Sequence, residues 1–339
     1  MNPLIETVAA SLFQRVVRIK YRRYPFTAVL MYHGVVPDDF PVAAWTLVRR
    51  SDFEKQVALL RTCFDIVHPH HATSLENPAP NRPKAVLTFD DGYKNLYQTL
   101  YPVAVKERVP ITVFVATGLI GTERLFWFDR VILGMQPTAN QTKFGQYNNA
   151  VQSLLSSGDE THWDLLQDVL STMKELKRAT MEALADRCFA NCKQPESVID
   201  ALKVLDAATI KAMAAEGLVQ FGSHTHHHEL LDRIPLPQAE QTITQSLAAL
   251  RELTGRPCRS FAYPNGNYTP AVLELLKPHG IRLAFTTVND VWRHHTDPLA
   301  IPRVPVGAFD TPLKFMLNIC GGINAYQKFH RRKSGNANH

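Results

Sequence analysis

Short apolar runs rich in β-branched residues alternate with segments of helical period along most of the chain. The apolar runs predict strands at 27–32, 84–89, 111–115, 218–222, 259–263, 283–287 and 301–304. Amphipathic patterns predict helices between them at 51–62, 94–107, 207–216, 237–254 and 269–279. Because nearly all-apolar strands that alternate with helices form a buried parallel sheet, the pattern predicts an α/β fold, either open or closed into a barrel.

One region interrupts this alternation. Residues 122–205 contain helical patterns and polar loops but no convincing strand, and we interpret them as a helical insertion. The strand–helix units on either side, residues 25–121 and 206–320, then form one domain. Residues 321–339 end in HRRKSGNANH, a basic and then polar sequence that is typical of a tail without fixed structure.

Residues 1–24 predict an amphipathic, basic helix. Its apolar side chains share one face at helical spacing: Ile5, Val8, Ala9, Leu12, Phe13 and Val16. Basic residues follow this apolar part rather than precede it, which is the wrong order for a secretory signal, so we expect a cytoplasmic protein. The helix either docks on the domain or lies through residues 4–23 on the inner, anionic membrane surface.

Composition and charge exclude several classes of protein. The 339 residues include 37 Lys+Arg and 31 Asp+Glu, and the resulting net charge of +6 is mild for a nucleic-acid binder, so we expect no nucleic-acid partner. No stretch approaches the ~18–20 apolar residues of a membrane span. The cysteines are odd in number and widely scattered, which argues against a disulfide framework: Cys63, Cys188, Cys192, Cys258 and Cys320.

Two clusters of polar residues follow predicted strands. Asp90 and Asp91, in TFDDGY, end the apolar run 85–87, where desolvation and mutual repulsion require a partner such as a divalent cation. His224 and His228, in HTHHH, lie four residues apart after the strand at 218–222, a spacing that can direct two imidazoles at one metal ion. Taken singly, each of the two clusters could instead be a polar turn exposed to solvent. Together, one carboxylate and two imidazoles make a three-ligand site that leaves the second carboxylate to act as a base.

These motifs resemble those of the polysaccharide deacetylases, carbohydrate esterase family 4, with the NodB homology domain. TFDDGY resembles the first family motif and HTHHH the second. The resemblance implies a distorted (β/α) barrel of about seven parallel strands. It also implies that Asp90 is the catalytic base and that Asp91, His224 and His228 bind a divalent metal, most often zinc.

The third family motif, Arg-Pro-Pro-Tyr-Gly, is only partly matched. In FAYPNG, residues 261–266, Ala262 stands where the arginine would support the base. Arg303, in IPRV, either supplies this charge from a later strand end or forms a salt bridge at the surface or at the edge of the domain. Tyr263 and Pro264 keep places in the motif, and they are candidates to line the site or, through the Tyr263 backbone N–H, to bind an oxyanion.

The family histidine that acts as general acid has no match in the last third of the chain. Leu-Met-Tyr-His at 30–33 matches it near the start, an order similar to that of the permuted branch with the poly-N-acetylglucosamine deacetylases. His33 is therefore the candidate acid, the alternative being a histidine hydrogen-bonded in the core. Residues 289–292 faintly echo a further supporting motif. Trp127 either walls the substrate cleft or anchors the insertion.

The resemblance implies hydrolysis of an N-acetyl group from an amino sugar of a polysaccharide, oligosaccharide or precursor. Two alternatives stay open. One is a deformylase or deacetylase of a lipid-linked sugar at the membrane surface, and the other is a non-catalytic carbohydrate-binding relative. The sequence leaves open which sugar is recognised, and it does not predict an oligomeric state.

Overall fold

The computed structural model describes residues 3–72, 82–136, 162–190 and 192–321. The chain divides into two units. The first consists of Met1–Asp39, Trp45–Thr122 and Val204–His339, and the second of Phe40–Ala44 and Glu123–Lys203. The predicted tail, apart from Gly321, lies outside the described residues, as does part of the predicted insertion.

The described residues form helices and strands in an alternating order. The helices are α1 (Pro3–Arg23), α2 (Arg50–Cys63), α3 (Pro69–Ala72), α4 (Tyr101–Glu107), α5 (Trp127–Gly134), α6 (His162–Lys174), α7 (Arg178–Phe189), α8 (Glu196–Ala201), α9 (Ala207–Ala215), α10 (Leu236–Thr254), α11 (Pro270–Leu276) and α12 (Pro312–Ile319). The strands are β1 (Thr27–Tyr32), β2 (Gly34–Val36), β3 (Leu47–Arg49), β4 (Asp65–Ile66), β5 (Lys84–Phe89), β6 (Ile111–Val115), β7 (Val219–Ser223), β8 (Ser260–Ala262), β9 (Leu283–Phe285) and β10 (Val304–Pro305).

A parallel sheet organises the first unit. Its strands follow the order β10-β1-β5-β6-β7-β8-β9, with β4 paired to the start of β5, and the seven strands of the main path curl into a half-barrel. The sequence prediction of a distorted barrel with about seven parallel strands is therefore confirmed. A separate pair, β2 and β3, lies outside this sheet.

The sheet is parallel because its strands are apolar on both faces. Every residue of β1 and β6 is buried. Side chains from neighbouring strands, including Val29, Val86, Phe114 and Phe285, form one core cluster inside the sheet. Covering helices must then shield the outer face, which explains the strand–helix alternation. No described helix combines the length and the hydropathy needed to cross a membrane.

Helix α1 is present as predicted, but among its described side chains only part of the predicted apolar face is buried. Phe13, Val17 and Tyr21 are buried at successive turns of the helix. Leu12 and Val16, which the sequence placed on the same apolar face as Phe13, are exposed. The apolar positions on this helix form two stripes rather than one, and periodicity alone cannot tell which stripe meets the core.

Residues 123–136, 162–190 and 192–203, the parts of the second unit's longer segment that the structure describes, are mainly helical, and buried cations link them. Arg130, on α5, forms ion pairs with Glu182 and Asp186 of α7. Lys203 lies at the end of the unit with only 6% of its side chain exposed, and its Nζ lies 2.5 Å from a Glu123 carboxylate oxygen. Since Glu123 begins this segment, the pair joins its two ends.

We expect Phe13→Ala and Leu12→Ala to affect stability very differently. Phe13 is 5% exposed and Leu12 is 62% exposed, although they are neighbours on the same helix. Losing the buried phenyl ring should lower the free energy of unfolding by about 3 kcal/mol, because it leaves a cavity. Leu12→Ala should change it by less than about 0.5 kcal/mol. Urea unfolding measures both free energies, and equal losses would contradict the burial of Phe13 against the domain.

Candidate active site

The register of the sheet brings chemically active residues to one edge. Tyr32 of β1 pairs with Phe89 of β5, so the residues that follow, His33 and Asp90, leave the sheet side by side. His224 follows β7, whose last residue pairs with the end of β6. Because all these strands are parallel, their carboxyl ends meet at one edge. The motifs found far apart in the sequence therefore come together there.

A buried ion pair joins Asp90 to Arg303. The Nη1 and Nη2 atoms of Arg303 donate to Oδ1 and Oδ2 of Asp90, both at 2.7 Å. Burial by itself would raise the pKa of Asp90, but the facing guanidinium outweighs it and lowers that pKa to about 2. The carboxylate is therefore ionised at neutral pH and held in one orientation.

The remaining polar atoms of Arg303 are also satisfied. Nε donates to the Thr286 carbonyl oxygen at 2.8 Å, and Nη1 also lies 3.2 Å from Thr88 Oγ1. The side chain is fully buried, with its guanidinium carbon 5.8 Å from the centre of the Phe114 ring. Of the two alternatives for Arg303, the surface salt bridge is wrong. The structure pairs this residue with Asp90, the carboxylate that the missing family arginine was expected to support.

Asp91, His224 and His228 form a cluster that can hold a metal ion. Their ligand atoms all lie within 4.8 Å of one another. Both His Nε2 atoms lie 3.6 Å from Asp91 Oδ1. A zinc ion bonds such nitrogen and oxygen atoms at ~2.0–2.2 Å, which sets neighbouring ligand atoms roughly 3–4 Å apart. The spacing and the mixed nitrogen–oxygen donor set fit zinc.

A second contact orients one of these ligands. His224 Nδ1 lies 2.7 Å from the carbonyl oxygen of Ala262. A carbonyl oxygen accepts but cannot donate, so Nδ1 carries the hydrogen and Nε2 presents its lone pair to the cluster. Burial lowers the pKa of His224 and, together with the neighbouring His224 imidazole, that of His228. Both rings are then neutral at pH 7, which is the form that binds metals.

Left-handed backbone conformations direct the ligands into the cluster. Asp91 has φ 71° and His228 has φ 57°, values uncommon outside glycine. Gly92, at φ 77°, continues the turn after Asp91. Such strain persists only where the surroundings enforce it. The turn at Asp90–Asp91 thus sends adjacent carboxylates to different partners.

Glu229 stabilises the loop that carries His224 and His228. Its carboxylate accepts hydrogen bonds from the His227 N–H and the Thr242 hydroxyl, both at 2.8 Å. The Glu229 N–H donates to Thr225 Oγ1 at 3.0 Å, next to His224. Sequence reasoning missed Glu229, since a glutamate after a histidine run carries no motif that separates it from an exposed charge.

His33 lies among the same charged groups. The carboxylate of Asp90 and the imidazole of His224 both act on its ring electrostatically, and burial lowers its pKa to about 4. Nδ1 forms no hydrogen bond with any residue that the structure describes. The indole of Trp45 packs edge-on against the ring, with centres 5.1 Å apart. The sequence did not reveal Trp45, which precedes β3 in a segment without a pattern.

The predicted oxyanion role of Tyr263 is wrong. Its N–H donates to the Phe285 carbonyl oxygen at 3.0 Å, and its hydroxyl donates to that of Leu299 at 2.9 Å. The ring is buried in the apolar cluster between the sheet and α10 and α11. Pro264, which has no N–H, begins the short turn after β8. The N–H and the hydroxyl of Tyr263 are therefore both engaged within the domain, and its ring serves in packing.

The faint motif at residues 289–292 does not reach the site. Trp292 exchanges two backbone hydrogen bonds of 2.9 Å with Thr27, at the opposite end of β1 from His33. Asp290 pairs with Arg293. Trp127 begins α5 in the second unit and packs edge-on against Phe128 at 5.6 Å. Its predicted role at a substrate cleft stays a prediction.

Comparison with known proteins agrees with these motifs. The polysaccharide deacetylase family model matches residues 77–284, more than half of the chain. The chain belongs to the polysaccharide deacetylase family. It is a hydrolase that acts on the N-acetyl groups of amino sugars, as members of this family do. No curated protein matches this deacetylase in sequence.

Solved deacetylases share its fold. The deacetylase PplD of Streptococcus pyogenes, solved with acetate, has a TM-score of 0.57 at 17% identity, covering 87% of this chain and 98% of its own. IcaB from Ammonifex degensii has a TM-score of 0.56 at 20% identity, covering 88% and 96%. A de-N-acetylase from Aggregatibacter actinomycetemcomitans has a TM-score of 0.55 at 15% identity, covering 86% and 99%.

Replacing Arg303 should destabilise the protein, because the buried Asp90 carboxylate would lose its counter-charge. Arg303→Met leaves the Asp90 carboxylate buried and unpaired, and the free energy of unfolding should fall by about 3–5 kcal/mol. Arg293→Met is a matched control, because its pair with Asp290 is partly exposed and should contribute about 1 kcal/mol or less.

A double variant separates charge from packing in this experiment. Adding Asp90→Asn to Arg303→Met removes the stranded charge, so urea unfolding should recover part of the loss. If the single variant lost no more than the Arg293 control, or if the double variant recovered nothing, the ion pair would not be the source of the stability.

Proposed function

We propose that this protein is a metal-dependent N-deacetylase of amino sugars within a saccharide or its precursor, releasing acetate and a free amine. One observation carries the proposal. The carboxyl edge of the sheet carries both the cluster of Asp91, His224 and His228 and, beside it, the buried ion pair between Asp90 and Arg303. Family membership supports deacetylation of N-acetylated sugars, and the metal and the roles of these residues are our proposal.

The metal in this proposal is zinc, held by Asp91, His224 and His228. When bound, such an ion supplies a Lewis acid that polarises the amide carbonyl and strengthens water as a nucleophile at neutral pH. Three protein ligands leave room for substrate, which is typical of a catalytic rather than a structural zinc site.

Asp90 is the proposed base. Its carboxylate takes the proton of the attacking water as the C–O bond forms at the acetyl carbon. Its pKa of about 2 means that the carboxylate is ionised at neutral pH, which is the form that can accept a proton. Arg303 holds the carboxylate in place with two hydrogen bonds, so no reorientation is required before attack.

His33 is the proposed proton donor to the departing nitrogen. The C–N bond can break only when this nitrogen is protonated, since an amine anion is too poor a leaving group. The resting His33 imidazole is neutral because burial lowers its pKa, so it must receive a proton during turnover before it gives one up. We propose that Asp90, which has just taken a proton from the water, supplies that proton to His33, since its carboxylate acts electrostatically on the His33 ring.

Asp90→Asn should lower kcat by about 10²–10⁴-fold while zinc binding persists. The amide keeps the shape of the side chain but cannot accept the proton. Released acetate measures turnover, and metal analysis after dialysis measures binding. Asp65→Asn is the control, because Asp65 lies at the start of β4, at the other end of the sheet, and should leave both readouts unchanged. Retention of most activity by Asp90→Asn would remove the base assignment.

Neighbouring histidines test the metal site. His228→Ala should lose zinc and activity together, whereas His227→Ala should keep both, because the His227 side chain is exposed on the same loop. Chelation of the wild-type protein should abolish acetate release, and added zinc should restore it. Activity that is indifferent to chelation, or equal zinc binding by the two variants, would refute metal dependence.

A further inference from the structure

Helix α1 exposes an apolar stripe that the domain does not cover. Leu12, Val16 and Ile19 recur on successive turns, and their side chains are 62%, 45% and 59% exposed. Single exposed apolar side chains are ordinary on a protein surface. A continuous stripe along one helix is not, and it marks a surface that contacts something else.

A basic stripe runs beside the apolar one. Arg15, Arg18 and Arg22 are exposed, and none forms an ion pair with a carboxylate in the described part of the chain. At about 100° per residue, this stripe lies roughly a quarter turn from the apolar stripe. The outward half of α1 therefore carries one apolar and one cationic strip, side by side.

We propose that α1 binds the surface of an anionic lipid bilayer, lying parallel to it. The apolar stripe then enters the boundary between headgroups and acyl chains, while the arginines reach lipid phosphates. Charge complementarity favours a bilayer over a second copy of the chain. In a two-fold dimer through α1, the same unpaired arginines would face each other and repel.

The opposite side of α1 attaches this surface to the catalytic domain. Tyr21 packs edge-on against Phe26, with ring centres 5.9 Å apart, and Phe26 leads directly into β1. Lys20 donates to the Cys320 carbonyl oxygen at the end of α12. The helix is thus formed and fixed before it meets lipid, which removes the ordering cost that an unfolded segment would bear. No catalytic candidate lies on α1, so membrane binding and hydrolysis are separable.

Vesicle flotation of the full chain tests this surface. Wild-type protein should float with vesicles of equal parts phosphatidylcholine and phosphatidylglycerol, and added salt should weaken the binding. A triple variant of the apolar stripe, Leu12→Gln, Val16→Gln and Ile19→Gln, should bind about tenfold more weakly or worse. A triple variant of the basic stripe, Arg15→Gln, Arg18→Gln and Arg22→Gln, should show a similar loss and a weaker salt dependence than wild type, since Lys20 and Arg23 remain on the helix.

Control variants test whether the loss of vesicle binding is specific to the two stripes of α1. Leu236→Gln alters an exposed apolar residue on α10 and should float like wild type. Circular dichroism and acetate release from a soluble substrate should be unchanged in both triple variants, which shows that they fold. Wild-type protein that fails to float, that floats equally with pure phosphatidylcholine, or that loses nothing in the triple variants would overturn the proposal. A dimer in lipid-free solution that the apolar triple variant dissociates would also overturn it.

Discussion

The fully buried pair between Arg303 and Asp90 is the interaction on which the active edge depends. A carboxylate and a guanidinium removed from water each carry a large desolvation cost, and they are tolerable together because their geometry is bidentate and the remaining donors are satisfied. These contacts tie the segment before β10 to β5 and to the residue after β9. A single side chain therefore holds three parts of the sheet edge in register and keeps the proposed base charged.

Two adjacent carboxylates acquire different properties from this arrangement. Asp90 faces a fixed cation and is held ionised, whereas Asp91 turns through a left-handed conformation towards His224 and His228. Without that turn, like charges on neighbouring residues would share one environment and oppose each other's ionisation. The division lets one dipeptide provide both the proposed base and a proposed metal ligand. The hydrogen bonds of Glu229 likewise hold the loop that carries His224 and His228.

Much of this could be predicted from the sequence because it is local. Strand and helix positions follow from apolar periodicity, and the strands of a buried parallel sheet can be recognised as uninterrupted apolar runs. The residues Asp90, Asp91, His224 and His228 stand in short motifs at strand ends, so their convergence follows once the strands are parallel. His33 could be placed beside them only through the family resemblance, since no local pattern links it to the aspartates.

What the sequence determined by itself is the parallel α/β sheet and the polar residues at its carboxyl edge, because periodicity and strand-end motifs are encoded within a few residues. Only the tertiary structure decided which cation meets Asp90, since Arg303 lies more than two hundred residues away in a segment with two equally good interpretations. The fold also decided that Tyr263 is a packing residue, because the partners of its N–H and hydroxyl come from distant strands and loops. It decided which of two apolar stripes on α1 is buried, because both have helical period and only the shape of the domain distinguishes them.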